Sequence, residues 1–294
     1  MRIAVFGDII LDKYVFGDVD RISPEGPVPI LKINKILHKL GGAANVASNL
    51  RKLTTKISLF GLIGKDVFGI KIKKLISQNK IKSHILFSKY PTIVKTRFIA
   101  RSQQLLRADE EIYFSRKYFE LLSKKYLSEK FSITILSDYN KGTLHDVQYL
   151  IKKSSSRFLI DPKGDFEKYK NAYLLTPNFR EISNIIGKNL TNQQFKKECC
   201  NLRRFLNLKY LIVKKGPEGA FLFSENNKCN KFSTKIVEVM DITGAGDTLI
   251  ATLAYLISQN KNMNYALQKA VNAATMSVTK LGTFAISKRD IKND

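Results

Sequence analysis

Short apolar runs alternate along this chain with segments whose apolar residues recur every three or four positions. The runs at 2–7 and 57–64 are predicted to be strands. The segments at 43–53 and 66–79 are predicted to be helices, the second with Asp66 as its N-cap. Strands joined by helices of about 10–15 residues form right-handed βαβ units. The alternation therefore predicts an α/β fold with a mostly parallel central sheet flanked by helices.

The alternation continues to the end of the chain. Further strands are predicted at residues 133–137, 157–161, 173–176, 210–214 and 220–224, and further helices at 143–153, 244–259 and 264–281. Two stretches break the pattern, residues 14–17 with 28–33 and residues 92–100 with 103–107. Neither contains a helical segment, so they predict a small antiparallel sheet projecting from the main domain. Such a sheet can act as a lid over a substrate cleft.

Composition excludes several classes of protein. No apolar run approaches the roughly 18–20 residues that span a bilayer, and the N-terminus is typical of a first strand and not of a signal peptide. The 3 cysteines are Cys199, Cys200 and Cys229, an odd number with two adjacent. That pattern fits neither a disulfide framework nor a zinc site. We therefore expect a cytoplasmic protein with no membrane partner.

The formal net charge of +25 has two interpretations. It can indicate a polyanion partner such as nucleic acid or anionic lipid. It can also be a drift toward lysine across the whole chain, which we favour because the lysines are scattered and no nucleic-acid motif accompanies them. We therefore expect no specific nucleic-acid partner, and duplex binding that is weak and steeply salt-sensitive.

The motif most indicative of chemistry is Asp241-Ile242-Thr243-Gly244-Ala245-Gly246-Asp247-Thr248, directly before an apolar helix. Glycines let backbone N–H groups turn toward one point, and a helix N-terminus adds partial positive charge there. The result is an anion hole that suits a transferring phosphoryl group, and a carboxylate beside it can act as a base. The alternative is a glycine-rich turn in which Asp247 only stabilises the helix start. Spacing alone leaves both open.

This segment resembles the signature of the ribokinase-like (PfkB) carbohydrate kinases, and four other segments follow in that family's order. They are Gly7 to Asp12, Gly41-Gly42-Ala43-Ala44-Asn45, Asn178-Phe179-Arg180-Glu181 and Lys214-Lys215-Gly216-Pro217-Glu218-Gly219. The resemblance implies a single ribokinase-like kinase domain over residues 1–294, with lid segments around 14–33 and 92–107. It implies ATP and Mg²⁺, and it leaves open a monovalent cation.

The resemblance also implies a role for individual residues. Asp247 takes the proton of the acceptor hydroxyl, and the backbone of Gly244, Ala245 and Gly246 stabilises charge. The sugar contacts are Asp12, Asn45, Gly41, Gly42 and, more weakly, Asp8. A strand-end acid, a helix-start glycine pair and a capping asparagine are the alternatives for these residues.

On the nucleotide side, the resemblance implies that Asn178 and Glu181 organise Mg²⁺, with Glu181 acting through water. It assigns Lys214, Gly216 and Gly219 to the nucleotide loop and brings Asn272 near the adenine. The alternatives are a capping box at Asn178 and Glu181, a simple hairpin turn at the glycines, and a solvated Asn272.

Finer details resemble one branch, the D-glycero-β-D-manno-heptose-7-phosphate kinases. They lie in residues 21–29, 103–109, 137–142 and 280–283. The branch implies a phosphorylated acceptor, with Gln104 and Arg107 near its 7-phosphate, and a homodimer formed through the lid. A solvated lid charge is the alternative for Arg107. Ile242 and Thr252 depart from the usual signature, and another sugar or nucleoside kinase remains the alternative function. Since the chain ends at Asp294, we expect any adenylyltransferase activity to be absent or encoded separately.

Overall fold

The computed structural model describes residues 1–101, 103–280 and 282–292. Its strands, in chain order, are β1 (Ile3–Gly7), β2 (Ile9–Ile22), β3 (Pro29–Gly42), β4 (Ile57–Gly64), β5 (Lys82–Ser88), β6 (Ile93–Ala100), β7 (Gln103–Glu110), β8 (Ile133–Ser137), β9 (Arg157–Asp161), β10 (Leu174–Leu175), β11 (Tyr210–Lys214), β12 (Ala220–Phe223) and β13 (Cys229–Phe232). Its α-helices are α1 (Ala43–Leu53), α2 (Val67–Gln78), α3 (Arg116–Leu127), α4 (Val147–Lys153), α5 (Phe179–Ile186), α6 (Asn192–Phe205), α7 (Ala245–Ser258), α8 (Met263–Ser277) and α9 (Lys288–Lys292).

The main sheet has the strand order β13-β12-β11-β10-β9-β8-β1-β4-β5. Every neighbouring pair from β11 to β5 is parallel, and β12 and β13 are added antiparallel at one edge. The predicted α/β fold with a mostly parallel sheet is therefore confirmed.

Each face of the main sheet carries its own hydrophobic core. In β1 the side chains of Ile3 and Val5 enter one core, while Ala4 and Phe6 enter the other. This division follows from the alternation of side chains along a strand. Helices α1, α2, α7 and α8 cover the first face, and α3 to α6 cover the second. The result is a three-layer arrangement.

Several predicted element boundaries agree with the structure, but the lid strands predicted at 14–17 and 28–33 are longer, spanning Ile9–Ile22 and Pro29–Gly42. Capping side chains explain two helix boundaries that differ. The helix predicted from residue 143 begins at Val147, because Asp146 is its N-cap and accepts the Tyr149 N–H at 2.9 Å. The helix predicted at 264–281 spans Met263–Ser277 after an Asn262 cap. Leu281 lies outside the described residues. Asp66 caps α2 as predicted, accepting the Gly69 N–H at 2.7 Å.

The lid is a separate sheet with the order β3-β2-β6-β7. Its outer pairs are antiparallel as predicted, but the central pair, β2 with β6, is parallel. A parallel pair requires a crossover connection, and the chain between β3 and β6 supplies one through α1, β4, α2 and β5. The two ribbons are therefore joined into one mixed sheet.

Several bulk features can be checked within the described ranges. No helix there is long and apolar enough to cross a membrane. Cys199 and Cys200 are buried free thiols, and Cys229 is a half-buried one. The same residues contain no group of three or more acidic, histidine or cysteine side chains arranged to hold a metal ion.

Candidate active site

The candidate site lies at the carboxyl ends of the parallel strands, where open α/β sheets bind their ligands. Strand β9 ends at Asp161 and β11 ends at Lys214, and both face the start of α7. A Cβ atom added to Gly246 would lie 3.4 Å from Lys214 Nζ and 3.8 Å from Asp161 Oδ2. The glycine-rich loop and two strand ends therefore enclose one small volume.

The glycine-rich loop is held in a conformation that requires Gly244. This residue has a φ of 82°, and a Cβ atom there would come within 2.7 Å of Asn45 Nδ2. Asp241 fixes the loop from the other side, since its carboxylate accepts the N–H groups of Thr243 and Gly282, both at 2.8 Å. The first N–H groups of α7 come directly after Gly244 in the chain. Because the first N–H groups of a helix lack intrahelical partners, this loop can bind an anion.

Asp247, in the first turn of α7, is 4% exposed and has a fixed orientation. Its Oδ2 accepts a hydrogen bond from Asn45 Nδ2 at 2.7 Å, and its Oδ1 accepts one from the Tyr139 hydroxyl at 3.3 Å. Asn49 holds Asn45 in turn by donating to its side-chain oxygen at 3.2 Å. Thr248 then donates to Asn49 at 3.2 Å. The chain of bonds ties α1 to α7 and aims the carboxylate.

Burial raises the pKa of Asp247 to about 7. The hydrogen bond from Asn45 opposes this rise, the charges of Asp161 and Asp12 add to it, and the Lys214 ammonium lowers the pKa. A carboxylate that titrates near neutral pH can hold a proton taken from a hydroxyl group and still be ionised in the resting enzyme. Its pKa therefore suits a general base.

This pKa predicts how activity depends on pH. Only the ionised form of Asp247 can accept a proton, and the ionised fraction rises as pH rises through its pKa of about 7. We expect kcat/KM to increase with pH and to level off about one unit above that value, since kcat/KM reports on the free enzyme. The measurement is ADP release at subsaturating acceptor across that range. A profile that stays flat through neutral pH would contradict the assignment.

The expected sugar residue Asp12 is part of a buried ion pair. Its Oδ1 lies 2.6 Å from Arg97 Nη1, and the Arg97 guanidinium lies over the Tyr14 ring at 5.3 Å. Burial raises the pKa of Asp12, and Arg97 opposes that rise. The Gly41 backbone lies so close to this carboxylate that a Cβ atom would overlap Oδ2. Asp12, Gly41 and Asn45 are thus brought to the same side of the site as Asp247.

The expectation that Asp8 contacts the sugar is corrected. Its side chain is fully buried, and its two oxygens accept the backbone N–H groups of Tyr139, Lys141 and Thr143 at 2.8, 3.1 and 3.2 Å. Burial also raises its pKa to about 6. Asp8 therefore supports the loop that carries Tyr139, and its oxygens have no access to a ligand. Gly42, with a φ of 55°, packs against the Asp8 carbonyl group and is the N-cap of α1.

Asn178 and Glu181 form the capping box that was the structural alternative for them. Glu181 also accepts a hydrogen bond from Lys163, whose Nζ lies 3.1 Å from Oε1. Both Glu181 oxygens therefore have protein partners, which fits a Mg²⁺ ion held through water better than one bound directly. Lys163 was not predicted from the sequence.

The remaining expected residues make no described contact with Asp247 or with the loop before α7. Gly216 and Gly219, with φ of 56° and 92°, shape the turn between β11 and β12. Asn272 on α8 is half-buried and accepts a hydrogen bond from Gln268 at 2.9 Å. Gln104 and Arg107 are exposed on β7 in the lid, where Arg107 donates to Asp109 at 2.9 Å.

Sequence reasoning missed Tyr139 and Asp161 as members of the site. Asp161 did have a signal, because an acid at the last position of a predicted parallel strand lies at the ligand-binding edge of the sheet. Tyr139 lies in the segment 137–142 that resembles the heptose-phosphate branch, but no local pattern placed it beside Asp247, because contacts from residues far away in the sequence, including Asp8, hold its loop.

A buried carboxylate beside a helix-start anion site, under a β lid, defines a phosphoryl-transfer enzyme of the ribokinase-like class. The chain matches the family described as "pfkB family carbohydrate kinase" over residues 2–289, and it belongs to that family.

Relatives in this family include the bifunctional protein HldE of Haemophilus influenzae strain PittEE, which is 40% identical over 299 residues. The bifunctional protein HldE of Pasteurella multocida strain Pm70 is 37% identical over the same length. Each alignment covers 99% of this chain but 63% of the relative, so the chain spans less than two thirds of the relatives it matches.

Solved structures agree on the fold. Phosphofructokinase-2 from Escherichia coli in complex with potassium has a TM-score of 0.85 at 18% identity, covering 99% of this chain and 97% of that one. Ribokinase from Thermotoga maritima has a TM-score of 0.81 at 24% identity, covering 100% and 98%.

Proposed function

We propose that this chain transfers the γ-phosphoryl group of ATP to the C1 hydroxyl of D-glycero-β-D-manno-heptose 7-phosphate. The product is the 1,7-bisphosphate, a precursor of the nucleotide-activated heptose of lipopolysaccharide. The observation that carries the kinase chemistry is the buried Asp247 carboxylate, held by Asn45 and Tyr139 beside the glycine-rich start of α7. The choice of sugar is supported by the lid motifs and by the similarity to the HldE proteins.

In the proposed reaction the C1 hydroxyl oxygen attacks the γ-phosphorus. A new O–P bond forms while the bond from that phosphorus to the bridging oxygen breaks, and ADP leaves with the bond's electron pair. Asp247 takes the hydroxyl proton, while Asn45 and Tyr139 keep its carboxylate in place. The N–H groups of the loop from Gly244 to Asp247 stabilise the charge on the transferring group. We propose that residues 1–294 act in this way as one domain.

Asn178 and Glu181 would hold a Mg²⁺ ion through water, with Lys163 beside them. When bound, the ion supplies charge neutralisation to the ATP phosphates. A monovalent cation and a cytoplasmic setting stay predictions.

The 7-phosphate would bind on the lid face that carries Asp12. In the strand register, Asp12 on β2 pairs with Lys39 on β3 and with Lys95 on β6. Lys95 in turn pairs with Asp109 on β7. Two residues along, the register pairs Arg97 with Arg107 on the same face. Arg97 is committed to Asp12, whereas Arg107 and Lys95 share the half-exposed Asp109 at 2.9 and 3.4 Å. An incoming phosphate can replace Asp109 as the partner of Arg107, because Arg matches phosphate in two hydrogen bonds.

Arg107→Ala is expected to reduce the preference for heptose 7-phosphate over free heptose by about 1.5–3 kcal/mol in kcat/KM, the worth of a hydrogen bond to a charged group. The comparison is kcat/KM for both sugars in the wild type and the variant. Arg101→Ala is the matched control, since Arg101 is an exposed lid arginine 3.8 Å from Asp20. If the wild type prefers a free sugar, the assignment of heptose 7-phosphate as the acceptor is wrong, but the assignment as a sugar kinase still holds. If the ratio is unchanged in the variant, Lys95 is the next candidate.

An ADP-release screen over sugars, sugar phosphates and nucleosides tests the function as a whole. Turnover that is highest with heptose 7-phosphate supports the proposal, and highest turnover with a nucleoside or a free sugar favours another kinase of the family. Failure to release ADP with any acceptor, together with tight binding of one DNA sequence at physiological salt, would favour the nucleic-acid alternative suggested by the charge of +25.

We also propose that the lid pairs two copies of the chain. The row Ile36, Val15, Phe98 and Leu106 crosses the lid on the face opposite Arg97. Ile36 and Leu106, at the two ends of the row, are 48% and 59% exposed, while Val15 between them is 2% exposed, so the row offers an apolar side chain to a second copy at each end. Sedimentation velocity should therefore detect a dimer that Ile36→Lys with Leu106→Lys converts to a monomer. A wild type that sediments as a monomer at micromolar concentration would contradict this.

A further inference from the structure

An ion pair at the edge of the site joins the ends of two strands. Lys214 Nζ lies 2.6 Å from Asp161 Oδ1, which also accepts the Thr176 hydroxyl at 3.3 Å. The side chains of Lys214 and Asp161 are 17% and 19% exposed. Because β10 lies between β9 and β11, the ion pair reaches across β10 and joins two strands that are not neighbours. It is mostly withdrawn from water yet open toward the site.

The pair lies directly beside the loop that would receive the transferring phosphoryl group. Lys214 Nζ is 3.4 Å from the position of a Cβ atom on Gly246, in the first turn of α7. An ammonium group and a helix N-terminus therefore point at the same volume. Asp161 balances the ammonium while no nucleotide is bound, which avoids an unpaired charge in a partly buried place.

We propose that Lys214 is a catalytic residue whose ammonium group leaves Asp161 for the terminal phosphate of the nucleotide and stays on the phosphoryl group during transfer. The proposal rests on the kinase function above. Exchange is favourable because a polyphosphate carries more negative charge than one carboxylate, and Lys acts on phosphate as a mobile point charge. In this role the lysine acts through its charge and exchanges no proton with the acceptor, whose proton still goes to Asp247. Asp161 is then the positioning residue that holds Lys214 ready.

The competing explanation is that the pair only ties β9 to β11. The two explanations differ in what they predict for the two partners. If the pair is a structural tie, Lys214→Met and Asp161→Asn should lower stability alike and should affect ligands with and without phosphates equally. If Asp161 restrains a phosphate-binding lysine, the two variants should change phosphate binding in opposite directions.

The first experiment is calorimetric binding of ADP and of adenosine to the full chain, with EDTA present so that only protein groups contribute. Lys214→Met should weaken ADP binding about 10- to 100-fold, the range of one charged hydrogen bond, and leave adenosine binding unchanged. Lys214→Arg should stay within a few fold of the wild type. Asp161→Asn should tighten ADP binding about 3- to 10-fold because the ammonium no longer has to leave a partner. Lys209→Met is the control, since Lys209 is an exposed residue immediately before the other end of β11.

The second experiment uses turnover. Lys214→Met should lower kcat about 100-fold or more, and it should move the kcat/KM profile to higher pH, because Lys214 lowers the pKa of Asp247. Asp161→Asn should move the profile to lower pH, because Asp161 raises that pKa. The other groups that face Asp247 are Asn45 from α1, Tyr139 from the loop after β8, and Asp12 from β2, and they are unchanged in both variants.

Equal losses of ADP and adenosine binding in Lys214→Met would overturn the proposal, as would weaker ADP binding in Asp161→Asn. These binding results stand even if no acceptor is phosphorylated. That last outcome would count against the proposed function and leave the test of the lysine intact.

Discussion

We expect Asp247→Asn to lower kcat by about 10²- to 10⁴-fold, the usual contribution of a general base, while ADP binding persists. The amide has nearly the shape of the carboxylate: its oxygen can accept the hydrogen bond from Asn45 while its NH2 group donates to the Tyr139 hydroxyl oxygen, but it cannot take a proton. The measurement is kcat with saturating ATP and acceptor, together with ADP affinity by calorimetry. Asp146→Asn is the matched control, because Asp146 is the N-cap of α4 and asparagine caps helices equally well.

The loss of turnover should not come from unfolding. The folded-state pKa of Asp247, about 7, lies above its ordinary value, so the folded state binds this proton more tightly than the unfolded state. The stability contributed by this group therefore falls as pH rises between the two values. The neutral asparagine removes that loss, and the variant should melt at or above the wild-type temperature at about pH 8. Near-normal turnover in such a folded variant would falsify the base assignment.

The largest expected effect on stability is that of Arg97→Met, at about 3–5 kcal/mol near neutral pH. This change leaves the Asp12 carboxylate buried without its cation. Urea unfolding measures the free energy difference. Arg101→Met is the control and should stay within about 0.5 kcal/mol, since Arg101 and Asp20 form an exposed pair.

Two further measurements test the cause of that loss. Burial already raises the pKa of Asp12, and removing Arg97 removes a group that lowers it. The penalty should therefore be full at pH values above the raised pKa and should shrink as pH falls and Asp12 takes up a proton. Adding Asp12→Asn to Arg97→Met should restore most of the stability, because no buried charge remains. A double variant as unstable as Arg97→Met alone would point to lost packing against Tyr14 instead.

Local patterns were sufficient for the α/β class, for several elements and for the glycine-rich loop before α7, although β5, β13, α3 and α6 were not predicted. The apolar runs at Ile57–Gly64 and Ile133–Ser137 and the helix at Ala43–Leu53 are found at their predicted bounds. They are predictable because periodicity and capping act between residues a few positions apart. The loop before α7 is equally local, since its glycines, its acid and its helix lie in one continuous segment. The capping box at Asn178 and Glu181 was foreseen for the same reason.

Long-range partners were decided only by the tertiary structure. Asn45 and Asp247 are 202 positions apart, Asp8 and Tyr139 are 131 apart, and Asp161 and Lys214 are 53 apart. No local pattern predicts which acid binds a ligand and which binds a loop, so Asp8 was assigned to the sugar although its oxygens are used by backbone N–H groups. The parallel pairing of β2 with β6 has the same origin, because it depends on where the crossover returns the chain. By itself the sequence determined the α/β class, several of the elements and the glycine-rich loop before α7, since these depend on neighbours along the chain. Strand order determined which charges meet, since it sets the distances between residues far apart in sequence.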